Sequence, residues 1–476
     1  FFCSPTIVAI GNNTSIFREL PGLPFLFISP DRFHGPYRVA VLVLWAVFPV
    51  GTDRPERLWR LAMSSDQSHW DLVVIGGDRV GHEVAHEAAS RSARVMLVVP
   101  GTGSQPAVGN GQVGVVVGLP RFVTGGVLEV TTSVGVDRLC GETVVIGTGS
   151  RPWFPSSFVV DQDRVLDSDS FERAASVERV AVVGAGRDGL RAATLLSTTG
   201  VEVTLFDRRH RLLEECDSEL VDLMVEEIGR SGVVLRLGEE IVELGPTRDG
   251  AAVILPGGDL ERFDRVVVAV GRRGNTDTLE LESVGLETDE RGRLWCDDRF
   301  GTWVEGICAV GSVIGHPSWL RHSLDQGKRL AVDVLFSGGF ERGPAAAVTS
   351  SGTRPEILQA GRTTEDLMSE GVDYEAGRVG FVRGATNSLK LLWTRRSGRV
   401  LGVHAIGPGV AGSIGRVAAA MRRRLTVDRL LSTCGDDELL REAATSMVGA
   451  KPEQPTESEV APPAPQERPA WRIDAV

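Results

Sequence analysis

The stretch Glu178–Arg209, ERVAVVGAGRDGLRAATLLSTTGVEVTLFDRR, decides how this chain is read. It opens with the apolar run Val180-Ala181-Val182-Val183, short enough for a buried parallel strand. A complete G-x-G-x-x-G follows at Gly184, Gly186 and Gly189. Leu190, Ala193, Leu195 and Leu196 then recur at roughly helical spacing, Gly200 stops the helix, and Val201–Phe206 reads as the next strand. Asp207 closes the unit at the distance where a dinucleotide fingerprint carries its ribose-binding acid. The first glycine allows the tight turn, the second lets a pyrophosphate approach the backbone, and the third lets helix and strand pack closely. The free N–H groups and dipole at the helix N-terminus favour the phosphates. Arg208 and Arg209 come next and suit a 2′-phosphate, so NAD and NADP both stay open.

Working outward, Asp71–Ile75, a helix through Ala89 and Arg94–Val99 form a second such unit around Gly76, Gly77 and Gly81. Here Asp78 stands in place of the middle glycine, and Pro100 lies near where the ribose-binding acid belongs. A carboxylate beside a pyrophosphate opposes binding. Gly101–Gly118 reads as loop, Arg121–Val130 and Arg138–Ile146 as strands, and the latter runs into Ile146-Gly147-Thr148-Gly149-Ser150-Arg151-Pro152. Beyond Asp207, Glu219–Ile228 reads as a helix, Val233–Leu237 as a strand, and strands around Val242 and Val253 frame a hairpin-like turn at Gly245–Gly250.

Composition bounds the function. With 476 residues the chain is long enough for about three domains. Its 42% apolar content and 56 glycines suit a globular α/β protein. The net charge of −12 argues against nucleic acid or an anionic membrane as partner. Six cysteines without C-x-x-C or C-x-x-x-x-C spacing disfavour a zinc site, a disulfide scaffold or a redox pair, and fit the cytosol. His82 and His86 lie four apart without a further ligand nearby in sequence, so they read as a solvated helix face and not a metal site. The basic run Met421–Arg424 reads as a solvated helix end.

The N-terminal residues are unlike the rest. Val39–Phe48 is too short an apolar run to span a bilayer, and it lies too far along the chain for a signal peptide. The working protein is expected to start at Met63. Lys451–Arg468, rich in proline and glutamate, reads as a disordered tail.

These motifs, in order, resemble the pyridine nucleotide–disulfide oxidoreductase family of flavoproteins, most nearly its soluble pyridine nucleotide transhydrogenase branch and next dihydrolipoamide dehydrogenase. The resemblance covers roughly residues 70–445. It is carried by IGTGSRP at Ile146–Pro152, by Val165–Ser170, and by VVVAVGRRGNTDT at Val266–Thr278. ICAVGSVIGHP at Ile307–Pro317 with Asp325-Gln326-Gly327, Pro355–Gly361 and Gly402–Gly407 complete it.

The resemblance implies an α/β fold of two Rossmann-like three-layer domains, the NAD(P) domain inserted in the FAD domain, and a C-terminal α+β dimerisation domain. On it the chain begins with an extension (1–62) and a first stretch of the FAD domain (63–152). The NAD(P) domain (153–275), the returning stretch of the FAD domain (276–345), the dimerisation domain (346–449) and a tail (450–476) follow. It implies FAD with NAD or NADP as cofactors, a homodimer, and hydride traffic between nicotinamides through the flavin. Flavin contacts would come from Gly76, Gly81, Thr148, Gly149 and Ser312, and nicotinamide-nucleotide contacts from Gly184, Gly186, Gly189 and Asp207, with Arg208 or Arg209 admitting a 2′-phosphate. Ser150, Arg151, Gly271, Arg272 and Gly311 are further expected cofactor contacts.

The chain also departs from the family. The span from Gly76 to Gly147 lacks the segment that carries the cysteine motif. Ser312 replaces the aspartate of the second flavin motif, and Arg191 stands where a glutamate usually follows the NAD(P) glycines. STCGDDELLRE at Ser432–Glu442 holds no histidine, so no catalytic acid, base or nucleophile carries over. Two further expectations are therefore set beside a transhydrogenase: an impaired homologue that binds or senses NAD(P), and a reductase of small quinones or dyes.

Overall fold

The computed structural model describes residues 69–101, 113–316, 322, 325–336, 347–382 and 387–446. The expectations for residues 1–62, for Met63, for most of the loop after Gly101 and for the tail lie outside these residues.

The first dinucleotide unit is β1 (His69–Ile75), α1 (Arg79–Ser90) and β2 (Val95–Pro100). Leu72, Val73, Val74 and Ile75 are fully buried, as expected of a central parallel strand. On α1, Val80, Val84, Ala85, Ala88 and Ala89 form one face packed onto the sheet. The expected loop through Gly118 is overturned in its second half: β3 runs Val113–Thr124, and its first half pairs in parallel with β2. Glycines at 114 and 118 weaken the strand signal, but pairing with β2 fixes the chain, with Gly114 under Met96 and Trp70. The single strand expected over Arg121–Val130 is two, because Gly125-Gly126 turns the chain from β3 into β4 (Val127–Thr131). β5 (Val136–Ile146) then pairs with β4 at its start and with β1 at its end.

A short strand β6 (Ser150–Pro152) leads into the second unit: β7 (Val165–Asp167), β8 (Arg179–Val183), α2 (Arg187–Ser197), β9 (Glu202–Asp207), α3 (Ser218–Arg230) and β10 (Val234–Leu237). An antiparallel triplet follows: β11 (Glu243–Thr247), β12 (Gly250–Ile254) and β13 (Leu260–Phe263). The turn is thus tighter than the six residues expected for it, because Gly245 and Pro246 belong to β11. β14 (Arg265–Val268) completes a parallel sheet of order β10-β9-β8-β14-β7. β15 (Arg272–Gly274) returns against β6. The chain re-enters the first domain through β16 (Leu294–Trp295), β17 (Ile307–Ala309), which joins β5, β18 (Ile314–His316) and α4 (Gln326–Phe336).

The C-terminal domain is an antiparallel sheet of β19 (Val348–Ser350), β20 (Ile357–Gly361), β21 (Tyr374–Val379), β22 (Ser388–Thr394) and β23 (Val400–Ile406). Four helices accompany it: α5 (Thr364–Ser369), α6 (Ala411–Arg422), α7 (Val427–Thr433) and α8 (Glu438–Thr445).

A buried charge cluster ties this domain to the second dinucleotide domain. Lys390 on β22 and Asp217 at the start of α3 are both fully buried. The Lys390 ammonium donates to both Asp217 oxygens at 3.0 and 2.9 Å and to Glu219 at 2.8 Å. Arg378 grips Glu219 with two further bonds at 2.6 and 2.7 Å. Burial opposes the charge of Glu219, but Arg378 and Lys390 hold its carboxyl below the usual range.

Candidate functional site

The second glycine loop joins β8 to α2. Gly184 has φ +103°, and a Cβ there would sit 2.4 Å from the Ala269 carbonyl oxygen. A Cβ on Gly189 would lie 1.7 Å from the Gly184 oxygen, so only glycine allows this helix to press on its strand. Gly186 is different: a Cβ there meets nothing within 4 Å. Gly186 is also the N-cap of α2 and makes no side-chain cap bond. The front of the helix is therefore open, with amide N–H groups and the positive end of the dipole facing the cleft.

Asp207 ends β9 beside this loop. Its carboxylate accepts the Ala185 N–H at 2.6 Å and the Arg209 N–H at 2.8 Å. The Arg209 guanidinium adds two bonds of 3.1 Å. Burial opposes the charge, yet the Arg209 and Ala185 bonds outweigh it and hold the carboxyl below its usual range. Arg209 is thereby committed to Asp207. Arg208 is exposed and makes no ion pair among the described residues.

The first loop repeats the backbone geometry. Gly76 has φ +154°, and a Cβ there would lie 2.1 Å from the Gly147 oxygen. A Cβ on Gly81 would lie 2.4 Å from the Gly76 oxygen. Asp78 is the N-cap of α1, and its Oδ1 accepts the Gly81 N–H at 2.8 Å. Opposite stand Gly311 and Ser312, with the Gly311 N–H donating to Gln326 at 2.8 Å. A Cβ on Gly149 would be 3.7 Å from the Ser312 hydroxyl, so IGTGSRP and the second flavin motif meet here. Thr148 Oγ1 is buried beside them without a partner among the described residues.

One cleft of about 1260 Å³ joins the two loops. It runs from Gly184, Gly186 and Asp207–Arg209 past Gly271 and Arg272 to Ser150, Arg79 and Ser312. Of the sequence-predicted residues, Gly76, Gly81, Gly189, Thr148, Gly149, Gly311 and Arg151 do not line it. The glycines among them shape the turns from behind. Arg151 is held by Asn275 at 3.0 Å and Asp277 at 2.8 Å. Arg272 lines the cleft but already bonds Ser150 at 2.7 Å and Asp169 at 2.6 Å. Sequence reading missed Arg79, Arg187 and Arg291 as lining residues. Arg187 sits just after Gly186 and reaches Glu215 at 3.3 Å and the Ser350 carbonyl. Arg291 comes from the returning first domain and lies 4.3 Å over the Trp153 ring, a contact no local pattern announces.

His82 and His86 are exposed, with their rings stacked at 6.2 Å. Among the described residues no group of side chains could hold a metal ion, and no helix is long and apolar enough to cross a membrane. The described cysteines are free.

Two dinucleotide folds facing one cleft, to which Ser350–Gly352 of a third domain also contribute, define a flavoprotein-type pyridine nucleotide oxidoreductase architecture. Residues 121–327 match the pyridine nucleotide-disulphide oxidoreductase family, and residues 349–447 match its dimerisation domain. The chain belongs to this family, whose cofactors are FAD and NAD(P).

It is 36% identical to a soluble pyridine nucleotide transhydrogenase of Colwellia psychrerythraea over 58% of this chain and 61% of that one. It is 35% identical to a namesake of Vibrio cholerae over 64% of this chain and 68% of that one. The match thus spans about two thirds or less of these relatives' length. Among solved structures, LpdA of Mycobacterium tuberculosis superposes with a TM-score of 0.67 at 20% identity, over 79% of this chain and 98% of that one. The HOCl-induced flavoprotein disulfide reductase RclA of Escherichia coli gives 0.64 at 19%, over 79% and 99%. Both show the same fold.

Proposed function

We propose that this chain is an FAD-dependent NAD(P)(H) oxidoreductase of the transhydrogenase type, working without a redox-active cysteine pair. The observation that carries it is one cleft lined both by the open N-terminus of α2 and by Arg79, Ser150 and Ser312 of the first dinucleotide unit. The flavin, when bound, supplies the hydride-accepting and hydride-donating chemistry. The protein binds and orients. Gly184, Gly186 and Gly189 admit the nicotinamide nucleotide's pyrophosphate to α2, and Arg208 meets a 2′-phosphate where one is present. Gly76, Gly81, Gly149 and Gly311 shape the flavin turns, and Ser312 offers a hydroxyl towards the cleft. On this reading hydride passes between nicotinamides through the flavin, without a thiol relay.

The domain division at 152/153, 275/276 and 345/346 belongs to this reading. So do a homodimer formed through the region 346–449 and work in the cytosol. The test mixes NADPH with an oxidised nicotinamide analogue and flavin-loaded protein. Exchange of hydride is expected, and its absence would overturn the reading. Reduction of quinones or dyes without nicotinamide exchange would favour the reductase.

A second reading is favoured by the Asp78 cap: a homologue that binds or senses NAD(P) without turnover. Tight NADPH binding by flavin-free protein, with no acceptor reduced after flavin loading, would establish it.

A further inference from the structure

The two glycine loops present different surfaces to a dinucleotide. At α2 the cap position is Gly186, which has open space in front of it and no side-chain cap bond. At α1 the same position is Asp78, whose Oδ1 holds the Gly81 N–H at 2.8 Å. Its second oxygen faces the opposite turn, since a Cβ built on Gly311 would lie 4.0 Å from Asp78 Oδ2. The carboxylate therefore lies between the helix end and the turn that bears Ser312. An N-terminal helix end binds anions through its free N–H groups and dipole. Here an anion of the chain itself takes one of those N–H groups, that of Gly81, and faces the positive end of the dipole.

Charges of both signs surround this end of α1. Arg79 lines the cleft next to Asp78 and acts electrostatically on Glu83, whose other neighbours include Asp325, Glu87 and Lys328. Gly327 packs on Glu83, a Cβ there lying 2.9 Å from the Glu83 Cβ, which sets the start of α4 beside α1.

We propose that Asp78 is an internal substitute for the flavin pyrophosphate at the N-terminus of α1. On this account FAD is an exchangeable cofactor of this chain, admitted only when Asp78 releases the Gly81 N–H. The proposal rests on the reading that FAD belongs to the first domain. Two costs oppose FAD at this point: the displaced cap bond and the approach of two negative groups. At α2 no side chain caps the helix, although Asp188 stands in its first turn, so the nicotinamide nucleotide binds there independently of Asp78.

The experiment measures FAD affinity by equilibrium dialysis and flavin fluorescence for the full chain, Asp78→Gly and Asp78→Asn. NADPH affinity is measured in the same samples as a check on the fold and on the second site. Asn keeps a cap acceptor without the charge; Gly removes both. The expected result is FAD binding about tenfold or more tighter in D78G than in the unchanged chain, with D78N between them and NADPH affinity unaltered in all three. Faster flavin release on dilution from the unchanged chain than from D78G would accompany it. Equal FAD affinity in all three proteins would overturn the proposal while leaving the flavin reading standing. No FAD binding in any of them, with NADPH still bound, would overturn the flavin reading and this proposal with it. If D78G fails to fold, D78N decides: affinity no tighter than that of the unchanged chain overturns the role of the charge.

Discussion

The two dinucleotide loops are built on one backbone plan and differ at one decisive side chain. In both, a first glycine at positive φ meets a neighbouring strand-end backbone, and a last glycine lets the helix press on the loop. The front of the helix is bare at Gly186 and filled by Asp78 in the other loop. The comparison separates two roles that a glycine fingerprint combines. The outer glycines make the fold, and the middle position makes the ligand site. A chain can keep the first and alter the second, because the outer positions are fixed by backbone contacts and the middle one faces only solvent or ligand.

The largest expected effect breaks the support behind the second loop. Lys390→Met leaves Asp217 buried without its cation, and removing one partner of a buried pair costs about 3–5 kcal/mol. Urea unfolding should show that loss, with NADPH binding weakened and the α1 loop less affected. A loss below about 1 kcal/mol would mean the cluster does not tie the domains together.

Next come the glycines. Gly189→Ala puts a Cβ 1.7 Å from a backbone oxygen, and Gly81→Ala one at 2.4 Å. Both should destabilise, G189A by about 3 kcal/mol and G81A by less. Gly186→Ala meets nothing, so its stability should stay within about 0.5 kcal/mol of the parent while NADH and NADPH binding weaken. Loss of stability in G186A would contradict the separation of roles.

A smaller effect concerns the phosphate on the ribose. Arg208→Ala should lower the preference for NADPH over NADH by about tenfold, the loss of a charge-assisted contact. Arg209→Ala should instead release Asp207 and weaken both nucleotides alike. Dissociation constants for the two nucleotides in each variant decide; equal behaviour of the two variants would refute the division of labour.

The smallest effect is pH dependence. Asp207 and Glu219 have folded-state carboxyl pKa values held below the ordinary range. Their contribution is present above the unfolded value of about 4 and is lost as pH falls through the lower folded value. Urea midpoints should fall as pH drops below about 4, and K390M should flatten the share due to Glu219. An unchanged slope in K390M would remove Glu219 from the account.

Much of this arrangement was legible in the chain. β8, α2 and β9 follow from a short β-branched run, a helical spacing of small and apolar residues, and a stop at Gly200. Gly101–Gly118 misled because glycine depresses strand propensity, and only pairing with β2 makes 113–118 a strand. The Gly125-Gly126 turn is a local signal that the expected single strand overlooked. Arg291 and the Lys390 cluster left no local signal, since their partners lie far along the chain.

By itself, the sequence determined the two strand–glycine–helix units and their order. Those depend on local periodicity and on backbone conformations that glycine alone adopts readily. Tertiary structure decided which charges are spent and which remain free. Asp207 holds Arg209, Asp217 holds Lys390, Asp78 caps its own helix, and Arg208 is left in the cleft. Such pairings depend on distances of a few ångströms between residues that the chain brings together only when folded.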